Sequence, residues 1–180
     1  MPIKKLVIFG TGDIAQIAAD YFERDGLANV VAFTVDEAYR SADEYEGRPL
    51  VSFERVTERY SPEHHQMFVA LSYAEMNRLR ARKLIDAKRA GYTIASYVSP
   101  FCTYRSEFPP GENAFIFEEN SIQPFVRIGD NVTLWSGNHV GHHSVIADHN
   151  FVSSHVQDPA QLVAAATSAL SPDGRCRFIC

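Results

Sequence analysis

Cysteine is scarce in this chain: Cys102, Cys176 and Cys180 are the three in 180 residues. An odd count this low builds no disulfide framework and fits a reducing compartment, so we expect a cytoplasmic protein. Long apolar runs are also missing. No stretch approaches the roughly 20 residues that a membrane span needs, and Met1-Pro2-Ile3-Lys4-Lys5 leads straight into a strand pattern rather than a signal peptide. Positive charge is in short supply. The 17 Lys and Arg face 22 Asp and Glu, a formal net charge of -5, which argues against nucleic acid or an anionic membrane surface as partner. Apolar residues are plentiful at 46% of the chain, enough for a core in one or two domains.

What the chain does have is a six-residue repeat. Ile116, Ile122, Ile128, Leu134, Val140, Ile146 and Val152 follow one another at that spacing without a miss. Neither a helix of period 3.6 nor a strand of period 2 demands it, whereas a hexapeptide β-solenoid does. Each repeat then supplies one short strand with its apolar residue in the bore, and stacking buries a column that no single turn could bury. Turn-forming residues sit at the bends: Gly129-Asp130-Asn131, Gly137-Asn138, Gly141 and Ala147-Asp148. We read a short left-handed parallel β-helix over residues 99–156, a fold that points toward acyl transfer.

Residues 1–98 follow another pattern. Leu6-Val7-Ile8-Phe9 is a strand, and Gly10-Thr11-Gly12-Asp13-Ile14-Ala15 turns it into a helix whose apolar residues Ile14, Ile17, Ala18, Tyr21 and Phe22 recur at helical spacing. A second strand follows over 30–34 and ends near Asp36. This is the opening of a doubly wound α/β sheet, a Rossmann-like domain. Such a turn lets the backbone approach a phosphate at a helix N-terminus, and Asp36 stands where an acid accepts hydrogen bonds from a nucleoside. A tight turn that needs glycine for steric reasons alone would look the same. Further strands are expected over 49–51, 67–71 and 93–97, with a polar helix over 53–59 and a longer one over 74–90 that ends at Gly91. Ser72 and Tyr73 then lie at the carboxyl edge of a strand, where open α/β sheets bind ligands. His64 and His65 fall in a polar loop with no further ligands nearby, and no metal site is expected.

The combination resembles the sialic acid and bacillosamine type of sugar O- and N-acetyltransferase. The residues that carry the likeness are Gly10-Thr11-Gly12-Asp13-Ile14-Ala15, then Asp36, then Phe68-Val69-Ala70-Leu71-Ser72, then the repeats through Gly141-His142-His143-Ser144-Val145-Ile146-Ala147-Asp148. It covers about 155 of the 180 residues. The resemblance implies a nucleotide-sugar held by the first domain, acetyl-CoA as acyl donor, and assembly as a homotrimer. Gly10, Thr11, Gly12 and Asp13 would hold the pyrophosphate, Asp36 the nucleoside, and Ser72 and Tyr73 would flank the sugar.

Five of the seven histidines, His139, His142, His143, His149 and His155, crowd into the last repeats. An amine attacking a thioester must lose a proton, and an imidazole titrates in the range to take it. The family pattern puts that base on His142 and its acidic companion on His143, which here is not acidic. Exposed residues on flat faces, or a zinc site, are the competing readings of the cluster. Phe117, Phe125 and Trp135 are expected to turn outward from the bore, a surface suited to self-association. The repeat stops after Val156: residues 157–180 form an atypical tail, helical or disordered, and Cys176-x-x-x-Cys180 reads as a frayed end. The repeats are therefore expected to be incomplete, and a nucleotide-sugar-binding protein without a full acetyl-CoA site is the alternative. An NAD-dependent oxidoreductase rests on the glycine turn alone.

Overall fold

The computed structural model of the chain describes residues 4–156 and 178–179. The chain divides into two compact units, Met1–Ser72 with Arg82–Ala95, and Tyr73–Ala81 with Ser96–Cys180. Among the described residues, no helix is long and apolar enough to cross a membrane.

The first unit is an α/β sheet. Its strands are β1 (Lys4–Phe9), β2 (Ala28–Val35), β3 (Glu44–Tyr45), β4 (Arg48–Ser52), β5 (His65–Val69) and β6 (Thr93–Ile94), in the order β3-β4-β2-β1-β5-β6. All neighbours run parallel except β3 against β4. Its helices are α1 (Asp13–Arg24), α2 (Val56–Arg59) and most of α3 (Arg78–Arg89). Burial on both faces explains why Leu6, Val7 and Ile8 are consecutive, apolar and fully buried. Val7, Phe9, Met67 and Val69 pack with Leu84 and Ala87 of α3, while Phe68 turns the other way and meets Phe22 of α1 with ring centroids 5.2 Å apart.

The second unit is built from two-residue strands: β7 (Tyr97–Val98), β8 (Thr103–Tyr104), β9 (Phe115–Ile116), β10 (Ser121–Ile122), β11 (Arg127–Ile128), β12 (Thr133–Leu134), β13 (His139–Val140), β14 (Val145–Ile146) and β15 (Phe151–Val152). Each pairs in parallel with the strand eighteen residues away, as Ser121 does with His139 and Thr133 with Phe151. Three such stacks form, so one coil carries three strands. All seven apolar residues of the repeat are at most 5% exposed and form one cluster. A backbone strand at Phe178–Ile179, β16, pairs in parallel with β15. The expectations for the tail over 157–177 and for Cys176 and Cys180 lie outside the described residues.

The bends obey a rule that the apolar pattern does not display. Asn113, Glu119, Phe125, Asn131, Gly137, His143, His149 and His155, again six apart, all have positive φ between 56° and 79°. A left-handed residue costs an ordinary side chain about 1–2 kcal/mol. The corner returns part of that through hydrogen bonds to the coil before it: Asn131 N–H donates to the Glu112 carbonyl and His149 N–H to the Asp130 carbonyl, at 2.6 and 2.7 Å.

Four expectations need correction. The repeat begins earlier than residue 99, because Tyr97–Val98 already pairs with Phe115–Ile116 eighteen residues on and Val98 packs beside the core. The strand expected over 93–97 is two, since β6 belongs to the sheet and β7 to the coils. The helix expected from residue 74 begins at Arg78; before it, Glu75, Met76 and Asn77 all have positive φ, and Asn77 is buried with its side-chain amide donating to the His149 carbonyl at 2.8 Å. Phe117 does not face solvent. It lies against Trp135, eighteen residues on, with rings stacked at 4.6 Å, and Phe115 covers it from the side at 4.5 Å. Mutual packing of aromatics along the coil hides what alternation alone would expose; only Phe125 of the three remains open, at 49%.

Candidate functional site

In the sheet unit the two glycines of the first turn have different reasons to be glycine. Gly10 has φ +125, and a Cβ there would come within 2.6 Å of the Ala70 carbonyl oxygen, so sterics alone require it. Gly12 has an ordinary φ of -100 and open space where a Cβ would stand. Packing does not demand glycine at position 12, although glycine suits its place as N-cap of α1. A missing side chain at a helix N-terminus that no side chain caps is what close approach of an anionic ligand requires. Thr11 lies between the two, and Asp13 occupies the first turn of α1.

Asp36 follows the carboxyl end of β2, as expected, but it is not free. Lys83 donates to its Oδ1 at 2.7 Å, lies 3.6 Å from Asp86, and sits over the rings of Phe9 and Phe53 at 5.5 and 5.8 Å. The ammonium takes one lone-pair site of Oδ1 and holds the carboxylate in place. Ser72 is exposed at the end of the first segment of this unit. Tyr73 belongs to the coil unit, where its ring meets Phe151 edge-on at 5.1 Å.

The coil unit distributes the histidines instead of gathering them. His143, His149 and His155 each occupy a left-handed corner, and successive corners belong to different edges of the coil. His139 is exposed on β13, in the stack of Ser121 and Thr103. One close pair results. His142 Nδ1 and His143 Nδ1 are 3.0 Å apart, with the rings nearly perpendicular. Gln123 Oε1 accepts from the His142 backbone N–H at 2.9 Å, and the Phe125 ring packs on the His143 ring at 4.6 Å. Two nitrogens that close require one proton between them: one Nδ1 donates and the other accepts. When His142 is the donor, its Nε2 carries a lone pair and can take a proton from a substrate. Among the described residues no three His, Cys, Asp or Glu side chains gather as a metal centre would need. Cys102 is half-buried, and burial pushes its thiol up to about 11, so it offers no thiolate near neutral pH.

A second polar assembly escaped the sequence reading. Asn113 donates to Asn131 Oδ1 at 2.8 Å, and Asn131 donates in turn to His149 Nδ1 at 3.0 Å, one corner residue to the next. Arg80, 3% exposed, donates to Thr133 Oγ1 and to the Asn131 and Asn150 carbonyls. In the sequence Arg80 sits inside the basic run Arg78-Leu79-Arg80-Ala81-Arg82-Lys83, where nothing separates it from solvent-facing neighbours. The spacing of Asn113, Asn131 and His149 at eighteen residues was the available signal for the ladder.

No protein-family model matches the chain, and no curated protein matches it either. Solved structures do. The acetyltransferase domain of PglB from Neisseria gonorrhoeae is similar over 84% of this chain and 71% of that chain, with 19% identity and a TM-score of 0.69. PerB from Caulobacter crescentus, solved with CoA and GDP-perosamine, is similar over 84% and 78%, with 20% identity and a TM-score of 0.61. WeeI from Acinetobacter baumannii is similar over 84% and 70%, with 14% identity and a TM-score of 0.71. At these identities the likeness is one of fold.

His149 makes the coil's stability depend on pH. Burial pushes its imidazole below the usual value; Asp148 and Asp130 oppose this, and Arg80 adds to it. The unfolded histidine titrates near about 6.5, so its contribution is complete above that pH and is lost as pH falls, because the unfolded chain binds the proton first. Urea midpoints at about pH 7.5 and about pH 5.5 measure it. The native chain should lose more stability on acidification than His149→Asn, which keeps the ladder and tolerates the left-handed corner. The gap should be at most about 1.4 kcal/mol per pH unit, and equal losses in the two proteins would contradict the assignment.

Proposed function

We propose that this chain is an acyl-CoA-dependent sugar acyltransferase, moving an acetyl group onto the amino or hydroxyl group of a nucleotide-linked sugar. In this reading the coils are a left-handed parallel β-helix (hexapeptide repeats), and the sheet unit is a Rossmann-like holder for the nucleotide-sugar. The observation that carries it is the 3.0 Å contact between the Nδ1 atoms of His142 and His143. Its support from outside the chain is the fold shared with an acetyltransferase domain that binds acetyl coenzyme A and with a protein that binds CoA and GDP-perosamine.

The chemistry follows from the pair. The sugar nitrogen or oxygen attacks the thioester carbonyl carbon while His142 Nε2 removes its proton. His142 Nδ1–H donates to His143 Nδ1 throughout, which fixes the ring and spreads the charge of the imidazolium. The tetrahedral intermediate collapses, the carbon–sulfur bond breaks, and the proton on His142 passes to the departing CoA thiolate. A neutral imidazole stabilises that imidazolium less than a carboxylate would, so His143 mainly orients the base. Gly10, Thr11, Gly12 and the Asp13 backbone N–H would take the pyrophosphate. Asp36, steadied by Lys83, would accept from the nucleoside, and Ser72 and Tyr73 would line the sugar. Assembly as a homotrimer would cover apolar surface such as Phe125.

Thiol release from acetyl-CoA, measured against a panel of UDP-, dTDP- and GDP-amino sugars, tests the activity. At least one sugar should be acetylated, and His142→Ala should lower kcat by about 10² to 10⁴ with KM little changed. No release above the His142→Ala background with any of them would reject the reading.

The glycine turn has its own test. Gly12→Ala should cost about 1 kcal/mol of stability, the loss of a glycine N-cap, with no steric penalty because its Cβ enters open space. It should weaken nucleotide-sugar binding by about tenfold or more. Unchanged affinity would show that no ligand approaches there.

A further inference from the structure

We infer that the base of the bound nucleotide is guanine, and that the Glu54 carboxylate reads it. The inference rests on the nucleotide-sugar reading above and names the substrate class more closely. A cavity of about 840 Å³ opens in the sheet unit, lined by Glu37 and Arg40 just past β2 and by Ser52, Glu54 and Arg55 at the end of β4. The carboxyl ends of two adjacent parallel strands are where open α/β sheets receive ligands, and the volume lies in the range of small-molecule sites. Asp36, placed on the nucleoside, is the residue before Glu37.

Charge decides which part of a nucleotide fits. Arg40 is answered by Asp43 at 2.7 Å and by Glu37 at 3.7 Å, and Arg55 by Glu58 at 3.2 Å. Glu37, Asp43, Glu54 and Glu58 outnumber Arg40, Arg55 and Arg59 along the wall. A surface with acids in excess, and with two of its three cations already matched by them, disfavours phosphate and suits a neutral group rich in N–H donors.

Glu54 is oriented for that task. The Ser52 hydroxyl donates to its Oε2, and the Glu37 backbone N–H reaches both oxygens, at 3.1 and 3.4 Å. These bonds hold its carboxyl below the usual range, so it stays an acceptor at neutral pH. An ionised carboxylate has about four lone-pair sites, and the Ser52 hydroxyl and the shared Glu37 N–H leave part of them to a ligand. Guanine is the base whose adjacent N1–H and N2–H groups match two carboxylate oxygens side by side. Uracil and thymine offer one N–H flanked by two carbonyls, which a carboxylate repels. Adenine and cytosine offer an amino group beside a bare ring nitrogen. The guanine O6 and N7 would accept from Arg55, whose Nε alone is engaged by Glu58.

Calorimetric titration of the full chain with GDP, UDP, dTDP, CDP and ADP tests this. GDP should bind about ten- to a hundredfold more tightly than the others. Glu54→Gln should bring GDP down to the level of UDP, because an amide can no longer accept from N1–H and N2–H together. Equal affinities across the panel, or a preference for another base, would overturn the guanine assignment and leave the transferase reading standing. A GDP preference that survives Glu54→Gln would overturn the role of Glu54. Binding of none of the five would overturn the nucleotide-sugar reading together with the inference.

Discussion

A residue in the left-handed region at every sixth position is what allows the coils to exist. Strands two residues long can stack in register only if the chain bends sharply between them, and the bend at Asn113, Glu119, Phe125, Asn131, Gly137, His143, His149 and His155 supplies that turn. Once the corner is fixed, the residue three positions on must point inward, which is where Ile116, Ile122, Ile128, Leu134, Val140, Ile146 and Val152 stand. The same corner lets a backbone N–H reach the coil before it. Burial of the interior column supplies the driving force that eight left-handed residues, most of them not glycine, would otherwise oppose.

The constraint also sets the chemistry. His143 occupies a corner, so its ring cannot follow the strand and instead turns against the Phe125 ring and toward His142. His149 and His155 are corner residues of other edges, and one of them is consumed in the ladder with Asn131. Five clustered histidines in the sequence thus become one proton-sharing pair, one structural imidazole and two residues placed elsewhere. In the sheet unit the corresponding constraint is the Gly10 turn, which packs against the Ala70 carbonyl and leaves Gly12 at an uncapped helix start.

Periodicity made part of this legible. Seven interior residues, the α/β character of the first half and the strand–turn–helix opening all follow from spacing and composition. The corner column does not, because Asn, Glu, Phe and His share it and none of them announces a left-handed bend in the way glycine does. Phe117 was misplaced because alternation speaks only of which side a residue takes, whereas its exposure depends on Trp135 eighteen residues later. Residues 74–77 carry helix-forming Ala, Glu and Met, yet Asn77 is drawn into the coil unit by the His149 carbonyl, a contact 72 positions away. Arg80 and Lys83 hide in one basic run while one serves carbonyls of the coils and the other steadies Asp36.

The proposed acyl transfer requires His142 and His143 to act as one unit. A double-mutant cycle in the acyl-transfer assay measures this: kcat for the native chain, His142→Ala, His143→Ala and the double variant. In the proposed mechanism His143 acts only through His142, so the double variant should be no slower than His142→Ala alone. Losses that multiply in the double variant would show two independent contributions and contradict a base oriented by a shared proton.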